Sequence, residues 1–182
     1  MATSSSFRLL VLACSARKRG GAAYLPAIDR YDGPLWQTLR VVDPHGTMAK
    51  VAFLSARLGF RDAHTPIEIY DARMTDEVAA RMKAGGLGTR WPESKTQRRV
   101  MPVGQHPGMH IAALSEHGRK PFSDVALVGG HVYLDVMRHF VSLFHAGGYV
   151  TADARITEIN GAIGVMRRDL RRWLDWPIGE EP

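Results

Sequence analysis

The sequence predicts an α/β fold with a mainly parallel central sheet flanked by helices. Two observations carry this. Three short runs are almost wholly apolar, as strands covered on both faces must be. Segments with helical periodicity lie between them, and alternating strands and helices build a layered α/β domain. The length of 182 residues fits one domain spanning 1–182.

The first predicted strand is Phe7 to Ala13, which runs into Cys14-Ser15. The second is Val51 to Leu54, followed by Ser55-Ala56, and the third is Val125 to Val128, followed by Gly129-Gly130. All three end in residues small enough to let a ligand approach the backbone. In open α/β sheets ligands sit at the carboxyl ends of the strands.

Helices are predicted at Pro34 to Val41, Thr75 to Ala84 and Val132 to Phe144. The second starts Thr-Asp-Glu, an N-cap followed by acids in the first turn. The third repeats Val132, Val136, Phe140, Val141 and Phe144 on one face, the clearest amphipathic pattern in the chain. Residues 85–108 hold five glycines and three prolines, which excludes a long regular element and predicts a loop insertion.

The segment from Ile156 to Leu174 (about 155–175) reads as a short stretch, a turn from Gly161 to Gly164, and a helix. Met166, Leu170, Trp173 and Leu174 share one face, while Arg167 and Arg171, and Arg168 and Arg172, are spaced i,i+4 on others. This resembles a C-terminal helix-hairpin-helix element with one extra residue before its turn. Such a turn offers backbone N–H groups to a DNA phosphate. The plainer reading is a docking helix with a solvated arginine face.

The net charge of +6 is unevenly spread. Residues 81–120 hold eight basic side chains (Arg81, Lys83, Arg90, Lys95, Arg98, Arg99, Arg119, Lys120) against Glu93 and Glu116. That segment carries the whole excess, and the rest is neutral. Concentrated positive charge suggests either a polyanionic partner or a solvated loop whose charge aids solubility. On the first reading Arg98, Arg99, Arg167, Arg168, Arg171 and Arg172 grip a nucleic-acid backbone.

No apolar run approaches the roughly 20 residues needed to span a bilayer, and residues 1–7 lack a basic-then-apolar signal pattern. Cys14 is the single cysteine, which excludes an internal disulfide and a multi-thiolate metal site and makes a reducing cytoplasm the expected setting. Of eight histidines, His106 and His110 are four apart, but Pro107 and Gly108 argue against a helix that would align them on a metal. Neither a metal nor another cofactor is expected, and a monomer is.

The chemistry-bearing candidates cluster near the strand ends. After the first strand, Cys14, Ser15 and Lys18 offer a thiol, a hydroxyl and an ammonium at a turn whose N–H groups suit a phosphate or a base carbonyl. Tyr31-Asp32-Gly33-Pro34 reads as a turn into a helix with Pro at its first position. Asp32 is then either an N-cap or a carboxylate facing the cleft. Ser55 is followed at a distance by Glu68, Tyr70 and Asp71, which form a polar pocket or a plain surface loop.

The segment from Ala23 to Gly33 is similar to the PAI-x-RY-x-G stretch of the YaaA family of bacterial peroxide-stress proteins. Phe53 to Gly59, with Pro66-Ile67 and Tyr70, resembles a second stretch of that family. Cys14-Ser15-x-x-Lys18 looks like small relatives with a CS-x-x-K start, and like one domain of archaeosine synthase. The resemblance spans about residues 8–75, with Gly129-Gly130-x-x-Tyr133 matched loosely. It implies a core like that of uracil-DNA glycosylases, DNA binding, and a role in protecting DNA and iron pools under peroxide stress.

The leading expectation is a DNA-binding, glycosylase-like hydrolase acting on duplex DNA with a modified or damaged base. Asp32 is its first candidate carboxylate, Asp71 or Glu68 its second, with Ser15 and Lys18 assisting. Cys14, Tyr31, Gly33, Ser55, Tyr70, Gly129 and Gly130 would line the base pocket. The rivals are an enzyme acting on free nucleotides or nucleosides and a non-catalytic DNA-binding stress protein.

Overall fold

A computed structural model describes residues 7–93 and 106–176. Arg98 and Arg99, and the central part of the expected 85–108 loop, lie outside the described residues. The element order is β1 (Arg8–Ala13), β2 (Leu25–Pro26), α1 (Ala27–Arg30), α2 (Pro34–Val42), β3 (Lys50–Ser55), β4 (Gly59–Asp62) and β5 (Pro66–Ile67). It continues with α3 (Asp76–Gly85), a 3-10 turn (Gly86–Gly88), α4 (Pro107–Leu114), β6 (Phe122–Val128), α5 (His131–Ala146), β7 (Val150–Ile159) and α6 (Ile163–Asp175).

Five strands form one sheet in the order β4-β3-β1-β6-β7. β1 runs parallel to both β3 and β6, with Leu10 opposite Val51 on one side and Ala126 on the other. β7 is parallel to β6, and β4 returns antiparallel on β3. The α/β, mainly parallel architecture expected from the apolar runs is what the chain adopts.

Successive side chains of a strand point to opposite faces. Leu9 and Val11 join Val125 and Leu127 in a core beneath α3, α4 and α5. Leu10 and Leu12 join Ala126 and Val128 in a second core beneath α2 and α6. Both faces are covered, so no position in the middle of β1 can be polar.

α3 opens as expected, with the Thr75 hydroxyl accepting from the Val78 N–H. The expectation at Pro107 needs correction. α4 begins there, because proline at the first helical position fixes a helical φ and lacks only an N–H that would have no partner. His106 precedes that helix and bonds the Gly88 carbonyl at 2.5 Å, while His110 Nδ1 accepts from the Asp62 N–H.

The C-terminal element also needs correction. A ten-residue strand, β7, leads into the turn, so the chain forms a strand-turn-helix there and the element directly before Gly161 is a strand. The stretch Ile156-Thr157-Glu158-Ile159 pairs with β6, and its β-branched residues suit that pleated environment. Gly161 takes φ +123° in the turn, a region glycine enters without steric cost.

Candidate functional site

The site is set by the topology of β1 and β6, which are adjacent and parallel. The chain leaves β1 through α2 on one face and leaves β6 through α5 on the other. Adjacent strands whose connections depart to opposite faces open a crevice at their carboxyl ends, where ligands of open α/β folds bind.

A cleft occupies that crevice and has two lobes. The first, of about 330 Å³, is lined by residues 13–16 after β1, Gly33 to Trp36 at the start of α2, Gly129, Gly130 and Tyr133 at the start of α5, and Ile163 and Met166 of α6. The second, of about 660 Å³, shares Cys14, Ala16, Gly130 and Tyr133 and adds Asp71, Arg73, Met74 and His131. Both volumes lie in the range of small-molecule sites.

Three helices therefore begin at the first lobe. α2, α5 and α6 start after Gly33, Gly130 and Ala162, with no side-chain cap and no acid in the first turn. First-turn N–H groups have no acceptor within their own helix. They carry the positive end of the helix dipole, which favours an anion. Glycine lets the walls approach at two points. A Cβ on Gly33 would lie 2.4 Å from Ser15 Oγ, and one on Gly129 would lie 2.9 Å from the Ala13 Cβ. At Gly130 a Cβ would meet nothing within 4 Å, and its φ of −71° suits any residue. The missing side chain there leaves open space in the cleft.

A chain of polar groups runs from the cleft into the second core. Cys14 Sγ lies 3.2 Å from the Tyr133 hydroxyl. The Tyr70 hydroxyl is bonded to Tyr31 and, at 2.7 Å, to Ser55. Burial raises all three phenols above their ordinary range, and a nearby Cys14 adds to the effect. They are neutral O–H groups at physiological pH. Lys18 Nζ donates to the Ser15 and Ala16 carbonyls and sits 4.3 Å from the Tyr70 ring centre. Burial pulls this ammonium below the usual lysine range, against the pull of Cys14 and Asp71.

The expected residues divide accordingly. Cys14, Ser15, Gly33, Gly129, Gly130 and Asp71 line the cleft, and Lys18 is braced beside it. Tyr31 and Ser55 are fully buried, so they support the wall and cannot present a face to a base. Ser55 Oγ instead accepts from the Arg57 and Leu58 N–H groups.

Asp32 is neither the N-cap of α2 nor a lining residue. Gly33 occupies the cap position. The Asp32 carboxylate is held by Arg40 at 2.8 Å, Arg19 at 3.1 Å and Arg17 at 3.4 Å. Burial pushes it up, but the hydrogen bond and charge of Arg19, aided by Arg17, outweigh that and hold it below the usual carboxylate range. A carboxylate so engaged is a poor base. Glu68 is an exposed partner of Arg57.

The arginines of α6 are dispersed. Arg167 donates to Thr38 Oγ1 at 2.9 Å and ties α6 to α2. Arg168 pairs with Asp169, and Arg172 lines a separate groove against β7. Arg171 is exposed, as are Gly161 and Gly164 near the start of the helix.

Two contributors lie outside the expected site residues. Tyr133 was matched only loosely, although an aromatic three residues after a strand-end Gly-Gly falls in the first turn of the next helix and so faces the cleft. Arg30 is fully buried, and its guanidinium donates to the carbonyls of Arg19, Ala22 and Ala23 at 2.6–3.0 Å. Nothing in a lone arginine signals that role. Among the described residues no group of three or more His, Cys, Asp or Glu is placed to hold a metal, and no helix is long and apolar enough to cross a membrane.

Comparison with protein-family models, curated proteins and solved structures gives no match.

Proposed function

We propose that the cleft binds a nucleoside phosphate and cleaves its N-glycosidic bond. The observation that carries the reading is the convergence of three uncapped helix N-termini on one lobe at the β1/β6 crossover. The phosphate lies in that lobe, and the nucleoside extends over Cys14 and Tyr133 into the second. Asp71 is the carboxylate positioned to activate water or to offset positive charge developing on the sugar. Water adds to the anomeric carbon, and the base leaves with the proton.

Calorimetric titration with AMP, CMP, GMP and UMP, their nucleosides and inorganic phosphate tests the binding. At least one monophosphate is expected to bind tenfold or more tightly than its nucleoside. Gly130→Ala, which places a methyl group in the cleft without backbone strain, is expected to weaken it by a similar factor with an unchanged melting temperature. Absence of binding, or indifference to Gly130→Ala, overturns the reading. Free-base release followed by chromatography tests the reaction, and activity surviving Asp71→Asn removes Asp71 from its role.

A nucleotide extruded from DNA would occupy the same cleft, and the charge of residues 81–120 favours that source. This second reading expects duplex affinity that falls steeply with salt; salt-insensitive or absent binding rejects it.

A further inference from the structure

We infer that Arg17 and Arg19 form a second anion site beside the cleft, which takes a second phosphate group of the ligand. The inference rests on the nucleoside-phosphate reading. Arg17 follows Ala16, which lines both lobes, and Asp32 precedes Gly33, which lines the first. The two segments leave the cleft together, joined by the Asp32 N–H to the Arg17 carbonyl at 2.9 Å and by a bridge between Lys18 and Tyr31.

Charge at this edge is unbalanced. Three guanidiniums surround the single Asp32 carboxylate, and Asp29 adds a second acid only through its field on Arg40. Arg40 is turned inward, with Nη1 donating to the Ile28 and Tyr31 carbonyls at 2.8 Å each. The side chains of Arg17 and Arg19 are 75% and 51% exposed, while Asp32 is 14% exposed. The carboxylate anchors one side of each exposed guanidinium and leaves its remaining donors to solvent. A guanidinium fork suits a phosphate.

The backbone that carries them is fixed. Arg30, beneath the loop, donates to the Arg19, Ala22 and Ala23 carbonyls, and the Arg19 N–H returns to the Arg30 carbonyl at 2.8 Å. Solvent-facing arginines on a braced loop lose less entropy on binding than the same side chains on a loose one. The second phosphate has two chemical sources: the terminal group of a nucleoside diphosphate, or the next phosphodiester of a strand.

The test measures Kd at low salt for the best-bound nucleoside monophosphate, its 5′-diphosphate and a 5′-phosphorylated dinucleotide. Wild type is compared with an Arg17→Ala, Arg19→Ala double variant whose melting temperature is also recorded. In wild type the second phosphate is expected to tighten binding about tenfold or more. The double variant is expected to lose that gain while binding the monophosphate within about twofold of wild type. A gain with the diphosphate alone identifies the terminal group, and a gain with the dinucleotide alone identifies the phosphodiester. No gain in wild type, or a gain that persists in the double variant, overturns the inference and leaves the cleft reading intact. Failure of all three ligands to bind overturns both.

Discussion

The Tyr70 hydroxyl stands between the hydroxyls of Tyr31 and Ser55, all three inside the second core. Removing the middle member takes from Tyr31 its hydroxyl partner, while Ser55 keeps the Arg57 and Leu58 N–H groups. An unsatisfied buried hydroxyl costs about 1–3 kcal/mol. Tyr70→Phe is therefore expected to lower stability by that order in urea unfolding; an unchanged midpoint would show that the network relaxes freely. Asp32 gives a second prediction. Its carboxyl is depressed in the folded state, so its contribution to stability is present above its unfolded value of about 4 and is lost as pH falls through the folded value. Asp32→Asn should flatten the acid limb of a stability-versus-pH curve, and the difference from wild type should shrink in salt. At this scale the sequence was partly legible. Small residues at strand ends marked Cys14, Ser15, Gly129 and Gly130 because the backbone at a sheet's carboxyl edge must stay accessible. Asp32 was misplaced because a carboxylate beside Gly-Pro looks the same in one dimension whether it caps a helix, faces a cleft or meets arginines 13 and 15 residues upstream and one 8 downstream.

Among the elements, α6 is fastened to the sheet through Asp124 on β6. That carboxylate accepts from Arg8 at 3.0 Å, Arg155 at 2.8 Å and the Trp173 indole at 3.2 Å. Arg8 also lies 3.8 Å over the Trp173 ring, and burial lowers its guanidinium despite the nearby Asp124. Asp124→Ala leaves a buried cation without its counter-charge, a loss of about 3–5 kcal/mol. Chemical denaturation should show this, with loss of near-ultraviolet tryptophan signal. Retained stability would mean that the backbone carbonyls of Trp173 and Leu174, which also accept from Arg8, suffice alone. The helices α2, α3 and α5 were legible because their apolar positions repeat at helical spacing. β7 was not, because an edge strand with much of its length solvated carries Asp153, Arg155 and Glu158 along its length, where the central strands hold an unbroken apolar stretch. α4 was hidden by its own first residue, a proline that ends most elements and here begins one.

At the scale of the molecule, the α/β class followed from three apolar runs, and the two-sided core accounts for why their middle positions had to be apolar. The crossover between β1 and β6 was not legible, since strand order depends on which faces the helices choose. Sheet order has a further consequence for how the chain is made. β1 is synthesised first but lies in the centre, and its partners arrive about 40 residues later at β3 and about 115 later at β6. Until β6 emerges, a nascent β1 has an open hydrogen-bonding edge, and its two apolar faces lack the cover that α5 and α6 supply. An open apolar edge is the form of strand most prone to pairing with another chain. Such non-local pairing also slows folding. The last third of the sequence therefore closes the open edge of β1 as well as one wall of the cleft.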